Sequence, residues 1–211
     1  MLRRRQERPM TLRERKKALT RSSIQEAGLR LFVERGYDAT TLDHICDAAV
    51  ISRRTLFRYF GSKEDVVLST TRDELARAGE RLRHRPAGEP LKDSLFALVD
   101  ESVSFLEGDR DRQIVRSRLL ANTPALAGGY LKVLTDFELL LRGSLAERSG
   151  EPADSPQVRL AAAAAVTAFR VASETWVDND GGIPLKTLAH ENLDHLLTGC
   201  RLPGPGAAQR R

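Results

Sequence analysis

The sequence predicts an all-α chain of about nine helices, divided into a small N-terminal head of three helices and a larger C-terminal helical bundle. Three observations predict this. Apolar residues recur at the three- and four-residue spacing of a helix face, and period-two alternation is nearly absent. Caps, prolines and glycines punctuate the chain at helix-length intervals. Charge is unevenly divided: residues 1–63 carry 15 Lys/Arg against 7 Asp/Glu, and the remainder carries 19 against 22. A concentrated positive segment is the electrostatic footprint of a polyanion partner, and a solvated basic tail has the same composition.

The first helix starts near Thr11. Thr11 and Glu14 have capping-box spacing, in which each side chain satisfies the other's backbone amide. Its inward stripe is Ile24, Ala27, Gly28, Leu31 and Phe32, and Gly36, tolerant of positive φ, ends it. Arg13, Arg15, Lys16, Lys17 and Arg21 decorate its first turns. The second helix, about 42–49, is capped by Thr41 or Thr40 and turns Leu42, Ile45 and Ala49 inward. The third is capped by Ser52 and runs to Phe60, with Leu56 and Phe60 on its core side. Gly61 breaks the chain. Ser62 with Asp65 then caps a long linking helix over about 63–84.

A loop at 85–90 precedes a helix at about 91–107, whose stripe is Leu91, Leu95, Leu98, Ser102 and Phe105. Further helices follow at about 111–121, 124–148, 156–178 and 184–198. Thr123-Pro124 and Ser155-Pro156 each read as a cap plus a proline at the first helical position, where no amide is needed. The polar loop 150–154, then Gly181-Gly182, separate the last three helices, and Gly199 closes the chain's last one. The expected divisions are a flexible basic arm over 1–12, the head over 13–62, the body over 63–200 and a disordered tail over 201–211.

Composition excludes several function classes. Cys46 and Cys200 lie far apart in no metal spacing, which reads as two free thiols in a reducing cytoplasm. No apolar run approaches the roughly 20 residues that span a bilayer, so no membrane partner is expected. The charged N-terminus has no apolar segment behind it and is not a signal peptide. There is no Gly-rich phosphate loop, metal cluster or nucleophile–base set, and His44, His84, His190 and His195 are scattered. Neither an enzyme nor a cofactor is expected.

Residues 41–65 read as two short helices joined by a tight turn, with a third beginning directly after, which is the layout of a helix-turn-helix reading head for DNA. The second helix of that motif supplies what reading needs. Arg53 and Arg54 sit on its first turn, where arginine grips guanine O6 and N7 bidentately, or phosphate. Ser52 and Thr55 lie beside them, and Thr55 suits a thymine methyl or a phosphate. Arg58 adds charge. Tyr59 and Lys63 lie further along, where a phenol and an ammonium suit the duplex backbone. Thr41 and the amides of its helix suit another phosphate. Taken singly, these are surface charges and ordinary packing; together, between two capped helices, they point to DNA. The arginine-rich segment 3–21 either follows the minor groove and phosphates or adds only non-specific attraction, and both steepen salt dependence.

The run LRLFVERGYDATTLDHICDAAVISRRTLFRYFGSKEDVV, from Leu29 to Val67, resembles the N-terminal domain of TetR-type transcriptional regulators. Gly36-Tyr37, Thr40-Thr41, Ile45, Ala49, Ser52, Thr55-Leu56-Phe57, Tyr59-Phe60 and Ser62-Lys63-Glu64 fall on that family's pattern. The resemblance implies an all-α homodimer in the bacterial cytoplasm, on the nucleoid, with one head per subunit. It also implies Arg53, Arg54 and Thr55 at base edges or nearby phosphates, with Tyr59 and Lys63 on the backbone. One departure is Val50, at the turn position that usually carries glycine. A β-branched residue at positive φ is costly, so either the turn differs or the preceding helix continues.

Residues 160–172 are small and apolar nearly all round, so that helix must be covered on more than one side. Leu185, Leu188, Leu193, Leu196 and Leu197 on the last helix would complete the contact. Such a helix also suits a purely intrachain core; in TetR-like proteins the two last helices form the dimer's four-helix bundle. A two-fold dimer implies a pseudo-palindromic operator with half-sites roughly 34–36 Å apart, or a multiple of that. Ligand candidates are Phe96, Val99, Phe105, Leu119, Phe137, Leu141, Phe169 and Trp176, although aromatics at helical spacing also build ordinary cores. Arg116, Arg118 and Arg170 sit in largely apolar stretches. A buried arginine needs an acidic partner, and Arg116 and Arg170 join the candidates because an anionic effector could be that partner. The body also resembles a TetR subgroup that takes acyl-CoA-like ligands, which implies an effector with an apolar tail and an anionic end. The expected function is a ligand-responsive repressor. The alternative is a ligand-independent DNA-binding accessory protein, with the same head and no cavity.

Overall fold

In a computed structural model that describes residues 11–86 and 88–199, the described residues form nine helices and no strands. They are α1 (Leu12–Arg35), α2 (Leu42–Ala48), α3 (Arg53–Phe57), α4 (Lys63–Arg83), α5 (Leu91–Glu107), α6 (Arg110–Asn122), α7 (Pro124–Ser149), α8 (Pro156–Asp178) and α9 (Leu185–Thr198). Nearly all of the basic arm and the tail after Gly199 lie outside the described residues. No described helix is long and apolar enough to cross a membrane.

Local chemistry sets the boundaries. The Thr11–Glu14 capping box is closed in both directions, as the spacing predicts. Thr41, not Thr40, caps α2. Thr40 instead is buried, and its hydroxyl donates to the carbonyls of Leu31 and Gly36 at the end of α1, at 3.1 and 2.8 Å. Ser155 caps α8 as expected, whereas Thr123 makes no side-chain cap at α7. The third helix is shorter than expected. α3 ends at Phe57, and the chain closes tighter turns through Arg58 and Tyr59, whose amides reach back only three residues. Phe60 still reaches the core, 1% exposed.

The chain divides into two units, 1–69 and 70–211. The division falls inside α4, later than the expected boundary at residue 62. The physical reason is burial: Val66, Val67 and Leu68, on the first turns of α4, belong to the head core with Ile24, Phe32, Ile45, Leu56 and Phe60. At Gly28 a Cβ would meet the Val66 Cγ1 at 2.8 Å, so only glycine allows this approach of α1 to α4.

The body holds two apolar clusters. One joins Ala78 and Leu82 of α4, Leu98 of α5, Phe137, Leu141 and Leu145 of α7, and Val158 and Ala162 of α8. The other joins Val103, Ile114, Ala172, Trp176, Val177, Leu185 and Ala189. Leu185 and Leu193, expected at a dimer contact, are buried inside the chain's own body, whereas Leu197 is exposed. The start of α9 has no side-chain cap of its own. The Glu107 carboxylate of α5 supplies one, accepting from the Leu185 amide at 3.0 Å, where negative charge favours a helix start.

The loop before α5 is held by one carboxylate. Arg85 donates both arms of its fork to Glu89 at 2.6 Å, Ser94 donates to it at 2.5 Å, and Arg148 lies 3.7 Å away. The Arg85 hydrogen bond, then that of Ser94, pull the Glu89 carboxyl down from 4.5 to about 2. A lowered folded-state pKa stabilises the fold above about pH 4.5, and that contribution disappears as pH falls towards 2. We therefore expect Glu89→Gln to melt below the wild type at pH 7, with the gap closing between pH 4.5 and 2. Melting curves followed by circular dichroism check this; a gap that stays constant would contradict it.

Candidate DNA-reading head and ligand cavity

α3 presents a polar outer face because Leu56 and Phe60 anchor its inner one. Its Ser52 cap accepts from the Thr55 amide at 3.2 Å, and the two hydroxyls lie 2.9 Å apart. Arg54 is exposed and makes no hydrogen bond or ion pair among the described residues. Arg53 pairs loosely with Asp43 at 3.4 Å and lies over the Phe57 ring. Arg58 lies over the ring of the half-buried Tyr59. The structure thus brings Ser52, Arg53, Arg54, Thr55, Arg58 and Tyr59 together on α3, its cap and the turns that follow it.

Two expected phosphate partners have other engagements here. Thr41 closes a capping box with His44, whose Nδ1 accepts from the Thr41 amide at 3.2 Å. Lys63, expected on the DNA backbone, points into the head. Its ammonium donates to the carbonyls of Tyr37 and Thr40 at 2.7 and 3.0 Å and lies 4.2 Å from the Tyr37 ring centre. A cation at a helix start is unfavourable, and these carbonyls offset it while tying the α1–α2 turn to α4. Cys46 is buried beneath the motif, and burial pushes its thiol pKa up.

The turn keeps the left-handed backbone that favours glycine. Val50 has φ +53°. The Val50 amide bonds the Asp47 carbonyl and the Ile51 amide bonds that of Cys46, the two bonds of a Schellman motif. Helix α2 therefore does not continue through Val50, and a β-branched residue carries the strain. Val50 is 89% exposed, so its side chain contributes little packing. We expect Val50→Gly to raise stability by about 1 kcal/mol, the strain relieved exceeding the extra entropy of an unfolded glycine. A lowered melting temperature would contradict this.

The body holds a partly open cavity of about 100 Å³ lined from α4, α5, α6, α7 and α8. A second space of about 300 Å³ adjoins it, sharing Ser117, Leu120, Tyr130, Arg170 and Ser173. Of the expected ligand residues, Phe105, Arg116, Phe137, Phe169 and Arg170 line the first of these cavities. Val99 and Leu141 line a smaller void of about 30 Å³ beside it, together with Phe137 and Phe169. Three expected residues do not line these spaces. Phe96 packs edge-on against His190, with Lys92 over its ring. Leu119 is one position away from the wall, which Leu120 forms instead. Trp176 is 2% exposed within the second apolar cluster.

Polar wall residues escaped the sequence reading. Glu74 is buried and accepts from Arg77 and Arg81 at 3.1 and 2.7 Å. Tyr130 lines both spaces, and burial pushes its hydroxyl pKa up. Gln113 is 5% exposed and accepts from Arg116 at 2.6 Å. Their one legible signal was a polar residue interrupting an apolar helical stripe. Arg116 itself is 6% exposed, and among the described residues no carboxylate lies within ion-pair distance of it. Burial, then nearby Arg112, pull its pKa down to about 10, against Asp109. It therefore remains charged at neutral pH. Arg170 by contrast pairs with Glu174 at 2.6 Å, and Arg118 pairs with Asp180. No group of three His, Cys, Asp or Glu side chains suited to a metal ion occurs among the described residues.

Comparison with known proteins agrees with this division of labour. Residues 24–70 match the family model of bacterial regulatory proteins, tetR family, and residues 89–201 match that of the MftR C-terminal domain. The HTH-type transcriptional regulator TcmR of Streptomyces glaucescens is 36% identical over 174 residues, spanning 78% of this chain and 76% of that protein. Among solved structures, the transcriptional regulator FadR of Bacillus subtilis in complex with stearoyl-CoA superposes with a TM-score of 0.63. It is 24% identical and covers 85% of this chain and 99% of that one. FadR of Thermus thermophilus in complex with lauroyl-CoA superposes at 0.60, also 24% identical, covering 89% and 98%.

Proposed function

The chain belongs to the TetR family of DNA-binding transcriptional regulators, and from that premise we propose that it is a repressor controlled by a small amphiphilic effector. The observation that carries this reading is the cavity: it is walled in part by α4, the helix whose first turns belong to the head core. An effector seated there acts on α4 and so on the two heads of a dimer. It changes operator affinity only to the extent that it binds one arrangement of α4 better than the other.

In this reading Arg53, Arg54 and Thr55 meet base edges or nearby phosphates, and Ser52, Arg58 and Tyr59 meet the backbone. Thr41 and Lys63 act by shaping the head. The dimer forms through α8 and α9. Support comes from a stripe on α8, where Leu160, Thr167 and Val171 are exposed and Ala164 is half-buried between them, and from exposed Leu197 on α9. A two-fold pair of heads reads a pseudo-palindromic operator. The acyl-CoA complexes of the two FadR proteins support an effector with an apolar chain, and the cavity weighs against a ligand-independent accessory protein.

A reporter gene behind the DNA upstream of this gene tests repression. Deleting the gene should raise reporter output, and restoring it should lower output again. Output that falls on deletion would make the chain an activator.

A further inference from the structure

We propose that Arg116, with Gln113 beside it, is the anchor for the carboxylate of a monoanionic effector whose apolar body fills the cavity; this rests on the ligand-responsive reading above. A guanidinium taken out of water needs compensation, because its desolvation is costly unless an opposite charge and hydrogen bonds replace the solvent. Among the described residues, Arg116 has one acceptor, the Gln113 amide oxygen at 2.6 Å. The other cavity charges are already compensated: Glu74 by Arg77 and Arg81, Arg170 by Glu174. One positive charge therefore faces the cavity without a counter-ion from the described residues.

The geometry selects the ligand's head group. A guanidinium fork matches the two oxygens of a carboxylate, and the Gln113 amide nitrogen adds a donor beside it. A phosphate dianion would bring more charge than one uncompensated cation balances. A coenzyme A thioester is uncharged at its acyl carbonyl and carries its negative charges on distant phosphates, more of them than one cation balances. The apolar body would lie against Leu75, Phe105, Phe137 and Phe169. The site therefore takes a free organic acid, alkyl or aryl, in preference to its coenzyme A thioester or its alcohol.

The test uses the full chain and four probe sets: straight-chain carboxylates from octanoate to hexadecanoate, aryl carboxylates, the matched alcohols, and the matched coenzyme A thioesters. Calorimetry measures affinity, and thermal melting measures stabilisation. We expect a carboxylate to bind roughly 10- to 100-fold tighter than its alcohol. Arg116→Met should abolish that preference while leaving alcohol binding unchanged, and should melt no lower than the wild type, because it removes an uncompensated buried charge. Arg116→Lys keeps the charge and should keep part of the preference, and it decides the matter if the methionine variant fails to fold. Whether alkyl or aryl acids bind identifies the body of the ligand. Equal binding of acids and alcohols, or thioester binding without acid binding, overturns the carboxylate anchor and leaves the ligand-responsive reading standing. If no probe binds or stabilises the protein, both fall.

Discussion

Replacing Arg54 with alanine is expected to weaken operator binding roughly 5- to 150-fold and to relax selectivity at one base-pair position. The magnitude follows from the about 1–3 kcal/mol that a bidentate arginine–guanine contact contributes. The position follows from the structure. Arg54 is exposed on the first turn of α3, with no partner among the described residues to give up on binding. Arg53 differs, because it must first leave Asp43. Alanine at 54 removes no buried contact, so the melting temperature should stay within about 1 °C of the wild type, as surface changes of this kind do. Fluorescence anisotropy on the upstream DNA and on scrambled DNA, across a salt series, separates the possibilities. A loss confined to the specific site marks a base reader. An equal loss on both sequences, with a shallower salt dependence, would mark a phosphate contact instead. Unchanged affinity would remove Arg54 from the interface.

The second large effect is on stability. Trp176→Ala is expected to destabilise the body by about 3–5 kcal/mol, as truncations of buried aromatics do, and to lower the melting temperature by roughly 6–20 °C. Trp176 is 2% exposed and packs with Val103, Ile114, Val177, Leu185 and Ala189, so the cavity left behind has walls on every side. Below the transition, ligand selectivity should be unchanged, because Trp176 contributes nothing to the walls of the effector cavity. Circular dichroism is the suitable probe, since this is the chain's single tryptophan. A variant of wild-type stability that no longer binds ligand would return Trp176 to the effector site.

Trp176, packed in an apolar cluster and not on the cavity wall, shows the limit of what a helical pattern displays. Periodicity tells which side of a helix faces inward, and it assigned Phe105, Phe137, Phe169 and Trp176 to the interior of the body. Whether an inward side chain meets another side chain or an empty space depends on how neighbouring helices are offset, which no single helix encodes. Leu119 and Leu120 illustrate the limit: adjacent leucines on α6 differ by about 100° around the helix axis, and the wall goes to the second. Elements governed by local rules were far more legible. The Thr11–Glu14 box, the Thr41, Ser52 and Ser155 caps and the glycine after α1 fixed helix starts and ends with little tertiary help. α3 fell short of its expected end because its last turn is tightened while Phe60 is drawn into the core, a tertiary demand. Val50 marked a conflict between residue and backbone that sequence detected without deciding. The structure resolves it in favour of the backbone, because two hydrogen bonds hold the turn. Lys63 shows a different limit. Its cation was legible, but the Tyr37 and Thr40 carbonyls of the α1–α2 turn, brought close only by the fold, now compete with phosphate for it.

In the proposed mechanism a small molecule in the body cavity changes how the head holds DNA. The most direct measurement is the dissociation constant of the purified chain for its upstream DNA, with and without a probe that has been shown to raise its melting temperature. Selective binding to that DNA is expected, weakened at least about tenfold by the stabilising probe, which corresponds to about 1.4 kcal/mol of coupling. The same weakening should vanish in a variant that no longer binds the probe. A stabilising probe that leaves the dissociation constant unchanged would rule out effector control, because the cavity would then be occupied without being coupled to the head.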